Sequence, residues 1–179
     1  VVMSRDETSI GVGGAIVMQS DADEEYQETL LKAQAPMRAI THVVLRSVPM
    51  LSLLPPPTLE SLARALIPED APAGVEVVTQ GDEGDRFYVI ADGEADVIAD
   101  ETIVATLHRG DGFGEIALMY DVPRTATVRT RTHVQLYALE RDNFIVALTG
   151  HLPAQTLAQG LAAERLAELE ALRASRAAG

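Results

Sequence analysis

Between residues 74 and 140 the apolar positions gather in short β-rich segments set off by polar ones: GVEVVTQ, RFYVIA, EADVIA, TIVATL, TATVRTRT and VQLYALE. Turn signals separate them, with GDEGD at 81–85, DG at 92–93 and HRGDG at 108–112. Short β-rich segments at this spacing predict a mainly β domain, an antiparallel β-barrel or jelly roll of roughly eight strands. On either side of it the period changes. Leu59, Leu62, Ala63 and Leu66 in TLESLARALI fall three or four residues apart, which predicts a short helix with one buried face. Before it, THVVLRSVPMLSLLPPP (41–57) is apolar, and its closing prolines are expected to break any helix. DADEEYQETLLKAQ (21–34) has acids at its front and a lysine near its end, which suits a helix dipole, and Pro36 stops it. Residues 1–20 show no period and are expected to be an arm or linker.

After the β-rich part, RDNFIVALTG (141–150) predicts a helix with Gly150 as its C-cap. Beyond Pro153, AQTLAQGLAAERLAELEALRASR predicts a long helix carrying Leu157, Leu161, Leu166, Leu169 and Leu172. The expected organisation is an N-terminal arm with an acidic helix over 1–47, then one domain over 48–179. Within that domain the barrel spans about 70–140 and the C-terminal helices about 141–176.

Composition narrows the classes of function. The 179 residues suffice for one substantial domain with appendages. Aromatic residues are 4% and Trp is absent, so the core must come mainly from Val, Leu, Ile and Ala. A formal charge of −13 argues against a nucleic acid or an anionic membrane surface as the main partner, since those call for a basic face. It also means that an anionic ligand must be held by local donors against the long-range field. Without cysteine there is no disulfide and no thiolate chemistry. No apolar run approaches the ~20 residues of a membrane span and no signal peptide shows, so a cytoplasmic protein is expected, free or on the cytoplasmic face of a membrane host. The opening VVMSRDETSI lacks an initiator Met and reads as a piece of a longer or processed protein.

One stretch concentrates the chemistry. GDGFGEIALMYDVPRTATV lies between two predicted strands and sets Glu115 and Arg124 around a short apolar run. EIALMY can form one docked helical turn, whose first N–H groups, near Ala117, lack intrahelical partners. Those donors with the Arg124 guanidinium make a site for a small oxyanion. Glu115 cannot bind that anion, but it can accept hydrogen bonds from neutral hydroxyls such as those of a ribose. An anion beside a hydroxyl, in an apolar barrel that takes a flat base, indicates a nucleotide.

FGEIALMYDVPRTATV resembles the phosphate-binding cassette of cyclic nucleotide-binding domains, and GDEGDRFYVIADGEADV resembles their glycine-turn hairpin. The resemblance runs from about residue 48 to about 150 and leaves residues 1–40 aside. It implies a cAMP- or cGMP-binding regulatory domain with no cofactor. Glu115 is then expected to receive the ribose 2′-hydroxyl and Arg124 the cyclic phosphate. Backbone N–H groups of Ile116, Ala117 and Ala126 are expected to bind phosphate oxygens and sugar, with Gly114 permitting close approach. Thr125 stands where the family often has Ala when cAMP is preferred; a Thr there can bond the amino group of a syn guanine, so the base stays open. The resemblance also implies a packing relay through Leu118 and Phe144, and a lid role for the long C-terminal helix.

Other readings are weaker. His42, His108, His133 and His151 are dispersed, which disfavours a jelly-roll metalloenzyme. No nucleophile–base motif is recognisable, so no catalytic residue, no metal and no enzyme are expected. RGD at 109–111 is attributed to chance, Gly110 and Gly112 to turns, and Phe87 and Tyr88 to the core. The leucines of the last helix fit plain packing, a homodimer seam or a lid. A transcription regulator lacking its DNA-binding part, and a non-binding structural domain, are the alternative functions. The partner expected besides a cyclic nucleotide is an effector domain in the same longer chain. FIVALTGH (144–151) is similar to domains attached to bacterial major-facilitator-type transporters, which makes such a transporter one candidate host, beside a channel, acyltransferase or esterase.

Overall fold

Two four-stranded antiparallel sheets face each other in the computed structural model, which describes residues 42–177. One has the order β1-β8-β3-β6, built from Ile67–Ala71 (β1), Arg86–Asp92 (β3), Gly112–Phe113 (β6) and Val134–Glu140 (β8). The other has the order β2-β7-β4-β5, from Glu76–Val78 (β2), Ala95–Ala99 (β4), Thr102–Leu107 (β5) and Thr127–Thr130 (β7). The expected antiparallel β architecture with flanking helices is therefore present. The expectations for residues 1–41 lie outside the described residues.

The strand β3 explains why its sequence does not alternate. Phe87 and Val89 face the helices, Tyr88 and Ile90 face the space between the sheets, and all four are buried. A strand covered on both faces reads as a continuous apolar run. Phe87 and Tyr88 are core residues as expected: Phe87 stacks on Phe144 at 4.5 Å between ring centroids, and Tyr88 on Phe113 at 5.0 Å.

Two strands escaped the sequence pattern. β1 reads IPEDA, with a proline and two acids; it is an edge strand, pairing only with β8, and an edge is where a proline is tolerated. It takes Ile67 from the expected helix, which stops at Ala65. β6 has only two residues. The prolines at 55–57 also act differently from the expectation. Residues 42–47 (α1) and Pro49–Ser52 (α2) are helical, and Pro56 and Pro57 open the next helix, Pro56–Ala65 (α3). A proline in the first helical turn loses no hydrogen bond, so it starts a helix as readily as it ends one.

Glu115–Tyr120 forms the short helix α4, Arg141–Thr149 the helix α5, and Leu152–Ala177 the long helix α6. Gly150 is the C-cap of α5, as expected. The apolar faces of α1–α3, α5 and the start of α6 meet Phe87, Val89 and Leu139 in one cluster, which also contains Leu118 of α4. This cluster fixes α4 from behind. The far half of α6 leaves it and runs over the second sheet, where Leu169 packs with Ala99 and Ala126.

Candidate functional site

The site is built on a sharp turn. β6 ends at Phe113, and Gly114 turns the chain into α4 with φ of 96°. A Cβ there would lie 2.6 Å from Arg124 Nη1 and 2.9 Å from the Arg86 carbonyl oxygen, so only glycine fits. Helix α4 closes at Asp121, whose own φ of 54° lets its N–H return to the Ala117 carbonyl. Asp121 gives up an easy backbone conformation to make that tight end.

Arg124 is the electrostatic centre. Its side chain is 5% exposed and is held by carbonyl oxygens: Nη1 donates to Gly114 at 3.1 Å and Nη2 to Arg86 at 2.8 Å. The Asp85 carboxylate is 3.7 Å away but largely in solvent. Nε is buried without a partner. Burial pushes the Arg124 pKa below the ordinary arginine value, against the opposing pull of Tyr88, Asp85 and Glu115. A buried cation bonded chiefly to neutral carbonyls, with a donor left over, is short of negative charge. Leaving a buried donor unpaired costs about 1–3 kcal/mol, which an accepting anion recovers. The backbone is anchored too: Arg124 N–H donates to Asp82 and Gly81 N–H to Arg124, tying the cassette to the 81–85 turn.

Glu115 is 1% exposed and accepts a 2.6 Å hydrogen bond from Arg165 Nη1. The same nitrogen donates to the Gly112 carbonyl at 3.0 Å. Arg165 comes from α6, so the carboxylate expected to face a ribose also faces the last helix. Ile116 and Ala117 stand in the first turn of α4, where N–H groups have no intrahelical acceptor.

These groups line one cavity of about 210 Å³. All seven residues expected at the site, Gly114, Glu115, Ile116, Ala117, Arg124, Thr125 and Ala126, border it. Its other walls are Val78, Val97, Val104 and Leu107 from the sheets and Arg165, Glu168, Leu169 and Leu172 from α6. The cavity thus has a polar end at Arg124 and Glu115 and an apolar end beneath α6. Leu118 and Phe144, the expected relay, share one buried cluster. Sequence reasoning missed Arg165, one of three arginines in the leucine-bearing α6. Among the described residues no group of three or more His, Asp or Glu is placed to hold a metal ion. No described helix is long and apolar enough to cross a membrane.

Residues 68–151 match the family model of the cyclic nucleotide-binding domain. Residues 1–38, left aside by the sequence resemblance, match a second family model, that of the chorismate binding enzyme. The cAMP-dependent protein kinase regulatory subunit of Yarrowia lipolytica is 38% identical over 121 residues, covering 66% of this chain and 32% of that protein. The chain therefore spans about a third of the length of this curated relative. Among solved structures, cAMP-bound PfPKA-R is 28% identical with a TM-score of 0.70, over 77% of this chain and 48% of that one. PKAR CBD2 bound to Sp-2Cl-cAMPS is 28% identical with a TM-score of 0.68, over 77% and 92%. The regulatory domain of Toxoplasma gondii PKA with cAMP is 28% identical with a TM-score of 0.60, over 63% and 44%. A transporter host finds no support among these relatives.

Proposed function

The chain belongs, over residues 68–151, to the cyclic nucleotide-binding domain family, and on that premise we propose that it binds cAMP in the cavity under α6 and passes its occupancy to an effector. The observation that carries the reading is Arg124: a buried guanidinium with an unpartnered Nε at the polar end of an otherwise apolar cavity. The cyclic phosphate accepts from Arg124 and from the first N–H groups of α4. The ribose hydroxyl donates to Glu115, in competition or in company with Arg165. The base lies against Val97, Val104, Leu169 and Leu172, with Thr125 and Glu168 as the polar groups nearest the apolar end. The cAMP-bound relatives support this choice of ligand; cGMP is the competitor that Thr125 keeps in play.

Signalling then follows from packing. Phosphate binding draws on Gly114 and Arg124, between which α4 is held, and Leu118 carries any shift of α4 into the cluster around Phe144. Arg141 of α5 is bonded to Asp121 at the end of α4, which makes a second link. The ligand biases α5 and α6 only by its differential affinity for their two arrangements. The chain is itself a sensor and no catalyst. For the effector, residues 1–38 match the family model of the chorismate binding enzyme, which makes an activity of that kind a candidate output. Assaying polypeptides that carry this chain for chorismate consumption, with and without cAMP, tests that output.

The binding reading is tested by titration calorimetry with cAMP, cGMP and 5′-AMP. The expected result is cyclic nucleotide binding with 5′-AMP much weaker, and a loss of at least about tenfold in Arg124→Ala, because losing a partly desolvated charged partner costs roughly 2–5 kcal/mol. Unchanged affinity in that variant removes Arg124 from the site. A wild-type chain that binds neither cyclic nucleotide removes the function.

A further inference from the structure

The far end of α6 is fastened to the opposite sheet. Arg173 Nε donates to Asp100 Oδ2 at 2.7 Å, and its Nη2 donates to the Thr125 carbonyl at 3.3 Å. Arg176 Nη1 donates to the Asp100 carbonyl at 2.8 Å and to Thr102 Oγ1 at 2.6 Å. The receiving turn is shaped for this. Ala99 and Thr102 pair across the β4–β5 hairpin, leaving a two-residue turn, Asp100 and Glu101, with φ of 47° and 65°. Such a turn is easiest for Asn-Gly, so an Asp-Glu pair accepts strain to put a carboxylate at the tip. Gln80 holds that carboxylate from below: its Nε2 donates to Asp100 Oδ1 at 2.7 Å, and Asp100 N–H donates to Gln80 Oε1 at 2.9 Å. Oδ2 is thereby left for α6. The bonds from Arg173 and Gln80 hold the Asp100 carboxyl below the usual carboxylate range, so it is ionised at neutral pH.

We propose that Asp100, Arg173 and Arg176 form a latch that positions the last turns of α6 over the cavity and thereby sets how long a bound nucleotide stays. The inference rests on the nucleotide reading above. Leu169 and Leu172, which wall the apolar end, lie within one turn of Arg173, so the latch fixes the part of α6 that covers the base. The cations also stand at the C-terminal end of their helix, where the dipole favours them. An isolated exposed ion pair contributes little. Here one tip receives both arginines, and the Thr125 carbonyl ties Arg173 to the residue beside Arg124. A movement of the cassette on phosphate binding is therefore felt directly at the latch. Arg173 and Arg176 are positioning residues: they act through α6.

Stopped-flow displacement of a fluorescent cAMP analogue tests this on the whole chain, with wild type, R173A/R176A and D100N. Asn keeps the turn preference of position 100 and removes its charge. The expected result is dissociation roughly five- to tenfold faster in R173A/R176A, which loses the bonds of both arginines, and a smaller rise in D100N, which loses only the charge opposite Arg173, with association within about twofold of wild type. Unchanged dissociation in R173A/R176A overturns the latch. So does slower association accompanied by a fall in melting temperature, which marks a merely structural role. Amide hydrogen exchange of residues 165–176 without nucleotide supplies a readout independent of binding. If wild type binds no analogue, the nucleotide reading fails, and faster exchange in R173A/R176A still supports the latch while equal exchange rejects it.

Discussion

At Gly114 two constraints coincide: a positive φ, and an Arg124 nitrogen 2.6 Å from where a Cβ would stand. Gly114→Ala adds about 1 kcal/mol of left-handed backbone strain and displaces the guanidinium that holds the polar end. The expected outcome is a lower melting temperature together with weaker cAMP binding by calorimetry. Wild-type affinity at reduced stability separates the two constraints and shows that Arg124 can shift without loss. These residues were legible in the sequence because the cassette is local. Gly114, Glu115 and Arg124 span eleven positions, and a turn, a short helix and a return bring them together. Arg165 was not legible, because helical periodicity says nothing about which carboxylate an arginine on the rim will meet.

Among the elements, α5 is the piece that the proposed signalling runs through, between the cassette and α6. Phe144 is fully buried, stacks on Phe87 of β3, and shares its cluster with Leu118 of α4 and Ala154 and Ala158 of α6. Phe144→Ala removes a ring from a site that neighbours on β3, α4 and α6 cannot refill, so urea unfolding is expected to show a loss of about 3–5 kcal/mol. A loss under 1 kcal/mol indicates that α5 repacks freely and is no relay. The helices were visible as periods of three to four, and six of the eight strands as short β-rich segments between turn signals. β1 and β6 were not. A five-residue edge strand with a proline needs only β8 beside it, and a two-residue strand has no pattern at all.

For the whole molecule the governing quantity is the charge of −13, set against an anionic ligand. Four arginines, Arg124, Arg165, Arg173 and Arg176, stand in or near the site, but their hydrogen bonds act at short range, whereas the surplus of acids acts at long range. Salt screens the second far more than the first. The association rate of cAMP is therefore expected to rise between about 20 and 200 mM salt, where the Debye length shrinks from over 20 Å to under 10 Å. A rate that falls with salt instead shows that the arginines steer the ligand.

By itself the sequence determined the antiparallel β class, the helical flanks, and the cassette, all seven of whose expected site residues border the cavity. Each rests on a pattern within a few residues or on a run of alternating ones. Only the tertiary structure decided what α6 does. Its contacts join residues 50 positions apart at Glu115 and Arg165, and 73 apart at Asp100 and Arg173. A helix sequence states which face is apolar and where its charges stand. Which turn those charges reach depends on the angle at which α6 leaves α5 and on the packing of Ala154, Ala158 and Leu169, and no local pattern carries that information.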